Sequence, residues 1–255
     1  MNIDKHDRCL CGRLYLKTDA DGHEWIHEIV DALPNDFRLK YFGYPPEPVK
    51  APKAIDSSAF RESLVRGERP FLYGQGYHLS CMQFEATSGE VRIFSDCVPI
   101  GRALMETWFP RLESCRLIYG WAALLPEEDQ RNGYWVGRPS ADRPKGHGWL
   151  GRDYRRYVPG LYWLNYFSHE YTRQRDIDVD WVASRTGGRL TPLTNGSLLD
   201  LYGDPEKWRE KNELIADVLD SIPGFFSKRL AGIPESVPEP TRLEDVMREL
   251  GKKWP

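Results

Sequence analysis

The amino-acid sequence predicts an α+β fold, a mainly antiparallel sheet flanked by helices. Three observations predict it. Leu79–Glu85 and Val91–Val98 are rich in strand-forming residues and meet at a turn around Ser88-Gly89, which makes a hairpin. Cys115–Leu124 carries almost no charge, as expected of a central strand. Strands and helices also come in runs, without the regular alternation that builds a parallel sheet.

Taken in order, Arg13–Lys17 reads as a strand, followed by the polar turn Thr18–Gly22. A helix then runs to about Leu33 with Ile26, Ile29, Val30 and Leu33 on one face. Asp21 caps it, and Glu24 stands three residues on, as a capping box requires. Pro45 to Pro52 holds four prolines and must be an extended connector. Asp56 or Ser57 caps a second helix that ends near Gly67. Gly101–Trp108 is a helix cut by Pro110. Pro126 to Pro159, rich in Gly, Arg and Trp, reads as a long irregular loop.

The run Leu161–Phe167 is too apolar for a surface and reads as a buried strand. A polar stretch without a clear period reaches Asp180. Strands follow near 188–193 and 197–202, then a helix capped by Asp204 with Pro205 in its first turn. Trp208, Ile215, Val218, Leu219 and Ile222 form its apolar face. Residues 1–231 therefore form one α+β domain, with two halves near 1–98 and 99–231 whose helix–strand–strand order hints at a diverged duplication. The segment 232–255 is a Pro-rich tail, its short amphipathic helix marked by Leu243, Val246, Met247 and Leu250.

Composition narrows the function. Of 255 residues, 40% are hydrophobic and nine are tryptophan, ample material for a core. A formal charge of −3 does not favour whole-surface binding to nucleic acid. The polar amino terminus, Met1 to Asp7, is no signal peptide's apolar region, and the longest uncharged apolar run, Leu117–Leu125, is too short for a membrane helix. A cytoplasmic protein is expected. Cys9, Cys11, Cys81, Cys97 and Cys115 form an odd set without framework spacing and read as free thiols.

The chemical motifs are weak. His23-Glu24-Trp25-Ile26-His27 matches the H-E-x-x-H pattern, which puts two histidines one helical turn apart for a metal and a glutamate beside its water. Glu24 already serves as a capping residue, Glu28 sets a charge where such enzymes prefer none, and no third ligand follows. Lys17–Gly22 with Glu28 imitates a calcium loop, but Lys17 at its first position repels the ion. No G-x-S-x-G is present, and no cysteine can be tied to a histidine from sequence. The expectation is a protein without enzymatic activity, metal or cofactor. A zinc-dependent hydrolase built on His23, Glu24 and His27 is the alternative.

Two stretches suit a partner instead. Between 131 and 157, Arg131, Arg138, Arg143, Lys145, Arg152, Arg155 and Arg156 face only two acids and are interleaved with Tyr134, Trp135, Trp149, Tyr154 and Tyr157. Arginine among large rings is the composition of interface hot spots. It also suits a loop held to its own domain by cation–π contacts, or single-stranded nucleic acid. Asp176, Asp178 and Asp180 would share one face if extended, and Glu127-Glu128-Asp129 forms a second acidic knot.

Pro159-Gly160-Leu161-Tyr162-Trp163-Leu164-Asn165-Tyr166-Phe167, then Gly187-Gly188 and the Leu198-to-Trp208 stretch, resembles bacterial immunity proteins of type VI secretion and polymorphic-toxin systems, including the immunity protein 52-like group. The resemblance implies an α+β protein without catalysis that binds one cognate toxin domain, expected to be a nuclease. No catalytic residue carries over. On that reading Glu127, Glu128, Asp129, Asp176, Asp178 and Asp180 would meet a basic cleft, and Trp135, Arg138, Trp149 and Arg152 would anchor the interface.

Overall fold

Residues 9–17, 24–43, 53–55, 58–66, 71–85, 88–132 and 154–225 are described by the computed structural model. The caps at Asp21 and at Asp56 or Ser57, the connector at 45–52 and the tail at 232–255 lie outside them.

Ten strands form one sheet: β1 (Leu10–Lys17), β2 (Tyr41–Gly43), β3 (Lys53–Ala54), β4 (Phe71–Tyr73), β5 (Tyr77–Glu85), β6 (Ser88–Ser95), β7 (Leu117–Leu124), β8 (Leu164–Ser168), β9 (Arg189–Pro192) and β10 (Gly196–Asp200). Their order is β3-β2-β4-β5-β6-β1-β7-β8-β10-β9, and every neighbouring pair is antiparallel. The predicted α+β class holds. β5 and β6 form the expected hairpin, although Ser88 and Gly89 already belong to β6. β7 is central and almost wholly buried, as its lack of charge demands. Because β1 pairs with β6 on one side and β7 on the other, one sheet runs through both halves of the chain.

The helices are α1 (Glu24–Asp31), α2 (Ser58–Val65), α3 (Val98–Trp108), α4 (Leu125–Asn132), α5 (His169–Arg175), α6 (Val179–Thr186) and α7 (Asn212–Ser221). Turns of 3-10 helix occupy Asn35–Phe37, Phe109–Ser114 and Pro205–Lys211. No helix among the described residues is long and apolar enough to cross a membrane.

Strand alternation divides the core in two. Leu10, Leu14 and Leu16 of β1 join Trp25, Ile29, Phe60, Met105 and Trp108 in one core, under α1, α2 and α3. Cys11 and Tyr15 point the other way, into a core with Trp121, Tyr162, Tyr171, Val182, Ile215 and Val218 beneath α5, α6 and α7. Tyr15 and Tyr119 stack at 5.9 Å, and Trp121 stacks on Tyr162 at 4.1 Å.

Three segments depart from the sequence reading. The irregular loop expected from Pro126 opens instead with α4. Proline is tolerated in a first helical turn, where its missing N–H would be unpaired anyway, and α4 has Glu127 and Glu128 in its first turn and Arg131 in its last, matching the helix dipole. The ambiguous stretch before Asp180 is two helices. Ser168 caps α5, its Oγ accepting from Tyr171 N at 3.1 Å, and Asp178 caps α6, accepting from Trp181 N at 2.9 Å. Third, the strand predicted at 161–167 begins only at Leu164. The Asn165 amide bonds both N–H and C=O of Tyr162 and folds the preceding residues into a turn.

Gly196 of β10 has no room for a side chain: a Cβ there would lie 2.3 Å from the Phe167 carbonyl oxygen of β8. Gly196→Ala must therefore push the strands apart. A loss of about 2–3 kcal/mol is expected in urea unfolding, the upper range for overpacking.

Candidate partner-binding surface

Among the described residues, the two helical layers leave part of the sheet uncovered. On β2, β4, β5 and β6, Phe42, Leu72, Leu79 and Ile93 point into the first core, so the intervening residues point to the other side. Register then assembles a row that no local pattern announces. Tyr41 stands opposite Tyr73, Tyr73 opposite His78, and His78 opposite Phe94. Beside it Phe71 pairs with Ser80, Ser80 with Arg92, and Arg92 with Arg13.

The rings lean on one another. Centroids lie 6.0 Å apart for Tyr73 and His78, 5.7 Å for Phe71 and His78, and 5.1 Å for His78 and Phe94. Phe71, Tyr73 and Phe94 belong to neither core and are half-buried, while Tyr41 is 44% exposed. Burial among these rings lowers the His78 pKa, and the charge of Asp96 opposes that only in part. A histidine so lowered stabilises the fold fully above its ordinary value of 6.5, and that contribution is lost as pH falls through the lowered value. His78→Phe is expected to flatten the acid limb of the stability curve below pH 6.5, measured by urea unfolding across pH.

The cations at the edge of this face are already matched. Arg92 is paired with the buried carboxylate of Glu90. Arg13 donates to Glu128 at 3.0 Å and lies over the Trp121 ring at 5.8 Å. Glu128 also accepts from the Cys11 thiol at 3.2 Å. Burial, and then Glu128, push that thiol well above its ordinary range, the reverse of what a nucleophile needs. One residue earlier, Glu127 accepts from Arg131 Nε at 2.9 Å and from the Tyr202 hydroxyl at 2.7 Å, while Arg131 donates to Tyr202 at 2.6 Å. Burial raises the Glu127 pKa against the pull of Arg131.

These contacts correct the acidic-knot reading. Glu127 is 0% and Glu128 7% exposed, so neither is a surface group. Arg131 is only one helical turn from Glu127, but the other partners, on β1 and at Tyr202, are too distant in sequence for a local pattern to reveal. Asp129 lies on α4. Trp135, Arg138, Trp149 and Arg152 lie outside the described residues. Asp176, Asp178 and Asp180 are exposed, but on a turn and a helix start instead of a strand; Asp176 has φ 54° and Asp178 is the cap. Beside them Trp181 is 40% exposed and stacks with Arg185 at 5.7 Å.

Of the H-E-x-x-H pattern, His27 is exposed on α1 with its ring edge-on to Phe60 at 5.9 Å, while His23 lies outside the described residues. Among the described residues no three His, Cys, Asp or Glu side chains are grouped to hold a metal ion.

No protein-family model matches the chain, and none of the curated proteins compared with it does. Among solved structures it is similar to a T6SS protein of Pseudomonas aeruginosa, with 12% sequence identity, a TM-score of 0.45, and 89% of this chain and 92% of the other covered.

Proposed function

We propose that the protein is a non-catalytic immunity protein that binds a toxin domain, a nuclease, and holds it inactive. The observation that carries the reading is the face of β2, β4, β5 and β6 that no described helix covers. Its tyrosines and phenylalanines, with an arginine at the edge, have the composition of an interface centre. Monomeric proteins rarely leave clustered rings at the surface without a use for them. The likeness of the 159–208 stretch to immunity proteins points the same way.

Ile177 and Val179 pack in the same core as Tyr15 and Tyr119, so the exposed Asp176, Asp178 and Asp180 lie on the ring-bearing side of the sheet. Nucleases approach phosphates and are basic around their clefts, and carboxylates there would speed encounter. A ring-bearing sheet face also suits unpaired bases. The charges disfavour that reading here, because Arg92 and Arg13 are both taken by internal carboxylates.

The test is to mix the chain with the toxin domain encoded beside it and follow co-elution and toxin activity. A stable complex with loss of toxin activity supports the proposal. Turnover of any substrate by the isolated chain, abolished by one substitution, would overturn it.

A further inference from the structure

Between α1 and α2, on the sheet face opposite the rings, lies a cavity of about 430 Å³. Its size falls in the range of roughly 300–1,000 Å³ typical of small-ligand sites. Leu33, Leu39 and Phe60, all buried, give it an apolar floor. Asp31, Asn35 and Arg38 stand exposed at its mouth.

The two charges at that mouth are unspent. Arg38 Nη2 donates to Asn35 Oδ1 at 2.9 Å, which orients the guanidinium without neutralising it. Among the described residues neither Arg38 nor Asp31 has an oppositely charged group within 4.0 Å. Some surface charges of this chain are paired, as Lys17 is with Glu170, but these two are not. An oriented guanidinium and a carboxylate lining one apolar cavity, yet not bonded to each other, are complementary to a ligand with an apolar body and both charges.

We propose that this cavity binds a zwitterion with an apolar body, an aromatic α-amino acid. Its carboxylate meets Arg38, whose planar fork suits two oxygens. Its ammonium meets Asp31, and its ring lies over Leu39 and Phe60. The site stands apart from the ring-bearing face, so it does not depend on the immunity reading.

The test titrates the full chain with four probes, followed by NMR shifts of the Phe60 and His27 rings. L-phenylalanine carries both charges, hydrocinnamate only the carboxylate, phenethylamine only the ammonium, and N-acetylphenylalanine amide neither. Phenylalanine is expected to saturate, with each singly charged probe about tenfold weaker. Arg38→Met and Asp31→Asn, both at exposed positions, are expected to weaken phenylalanine by a similar factor with unchanged thermal unfolding. The proposal is overturned if phenylalanine leaves both rings unshifted at millimolar concentration. It is equally overturned if the neutral amide binds as well as phenylalanine, or if both variants bind it as the parent does.

Discussion

An Arg131→Met protein is expected to lose about 3–5 kcal/mol of folding stability near neutral pH, and to recover much of it in mild acid. Arg131 and Glu127 face each other with side chains 5% and 0% exposed. Methionine fills the space of the guanidinium stem but leaves the Glu127 carboxylate buried with neutral donors alone, the Tyr202 hydroxyl and the Trp163 backbone N–H. Burial already raises the Glu127 pKa with the arginine in place, so removing the cation raises it further. A carboxyl raised in this way contributes stability fully below its ordinary value of 4.5, and loses that contribution as pH rises through the raised value. The deficit of Arg131→Met should therefore grow with pH. Urea unfolding at mildly acidic and mildly alkaline pH measures it, and a deficit that does not change with pH contradicts it. Adding Glu127→Gln should restore much of the loss, because the amide needs no counter-charge.

The second large effect concerns the ring-bearing face. On the proposed immunity function, Tyr73→Ala with Phe94→Ala is expected to weaken toxin binding about 100-fold or more, since truncated hot-spot rings cost about 2 kcal/mol each. Both rings lie outside the two cores, so folding stability should fall far less than for a core aromatic. Calorimetric titration of the toxin domain reads the first quantity and urea unfolding the second. Unchanged affinity in a folded double variant would move the interface elsewhere on the molecule.

What could be read in advance follows from the range over which each signal acts. The hairpin of β5 and β6, the buried β7 and the Asp204 cap with Pro205 rest on alternation or on side chains within a few residues of what they bind, and all were legible. α4 was missed because Pro126 looked like a break, when its position in the first turn made it a start. α5 and α6 were missed because their exposed sides are polar and each is only about two turns long, too short for a period to stand out. Glu127 and Glu128 were misread as a surface knot open to a partner for a related reason. Arg131 is one turn from Glu127, but whether that pair is buried, and whether Glu128 meets water or Arg13, depends on where Tyr202 and β1 arrive in space.

The sequence by itself determined which residues of each strand share a face, because side-chain alternation is a property of the strand alone. It also determined that an α+β fold would form, from the amount and spacing of its apolar residues. Only the tertiary structure decided which of those faces the described helices leave uncovered. Tyr41, Phe71, Tyr73, His78 and Phe94 come from four strands and meet through register. Among the described residues no helix covers that part of the face, because α1, α2 and α3 pack on the opposite side while α5, α6 and α7 cover the other end of the sheet. Helix placement balances the whole buried surface at once, so no window of neighbouring residues contains the answer.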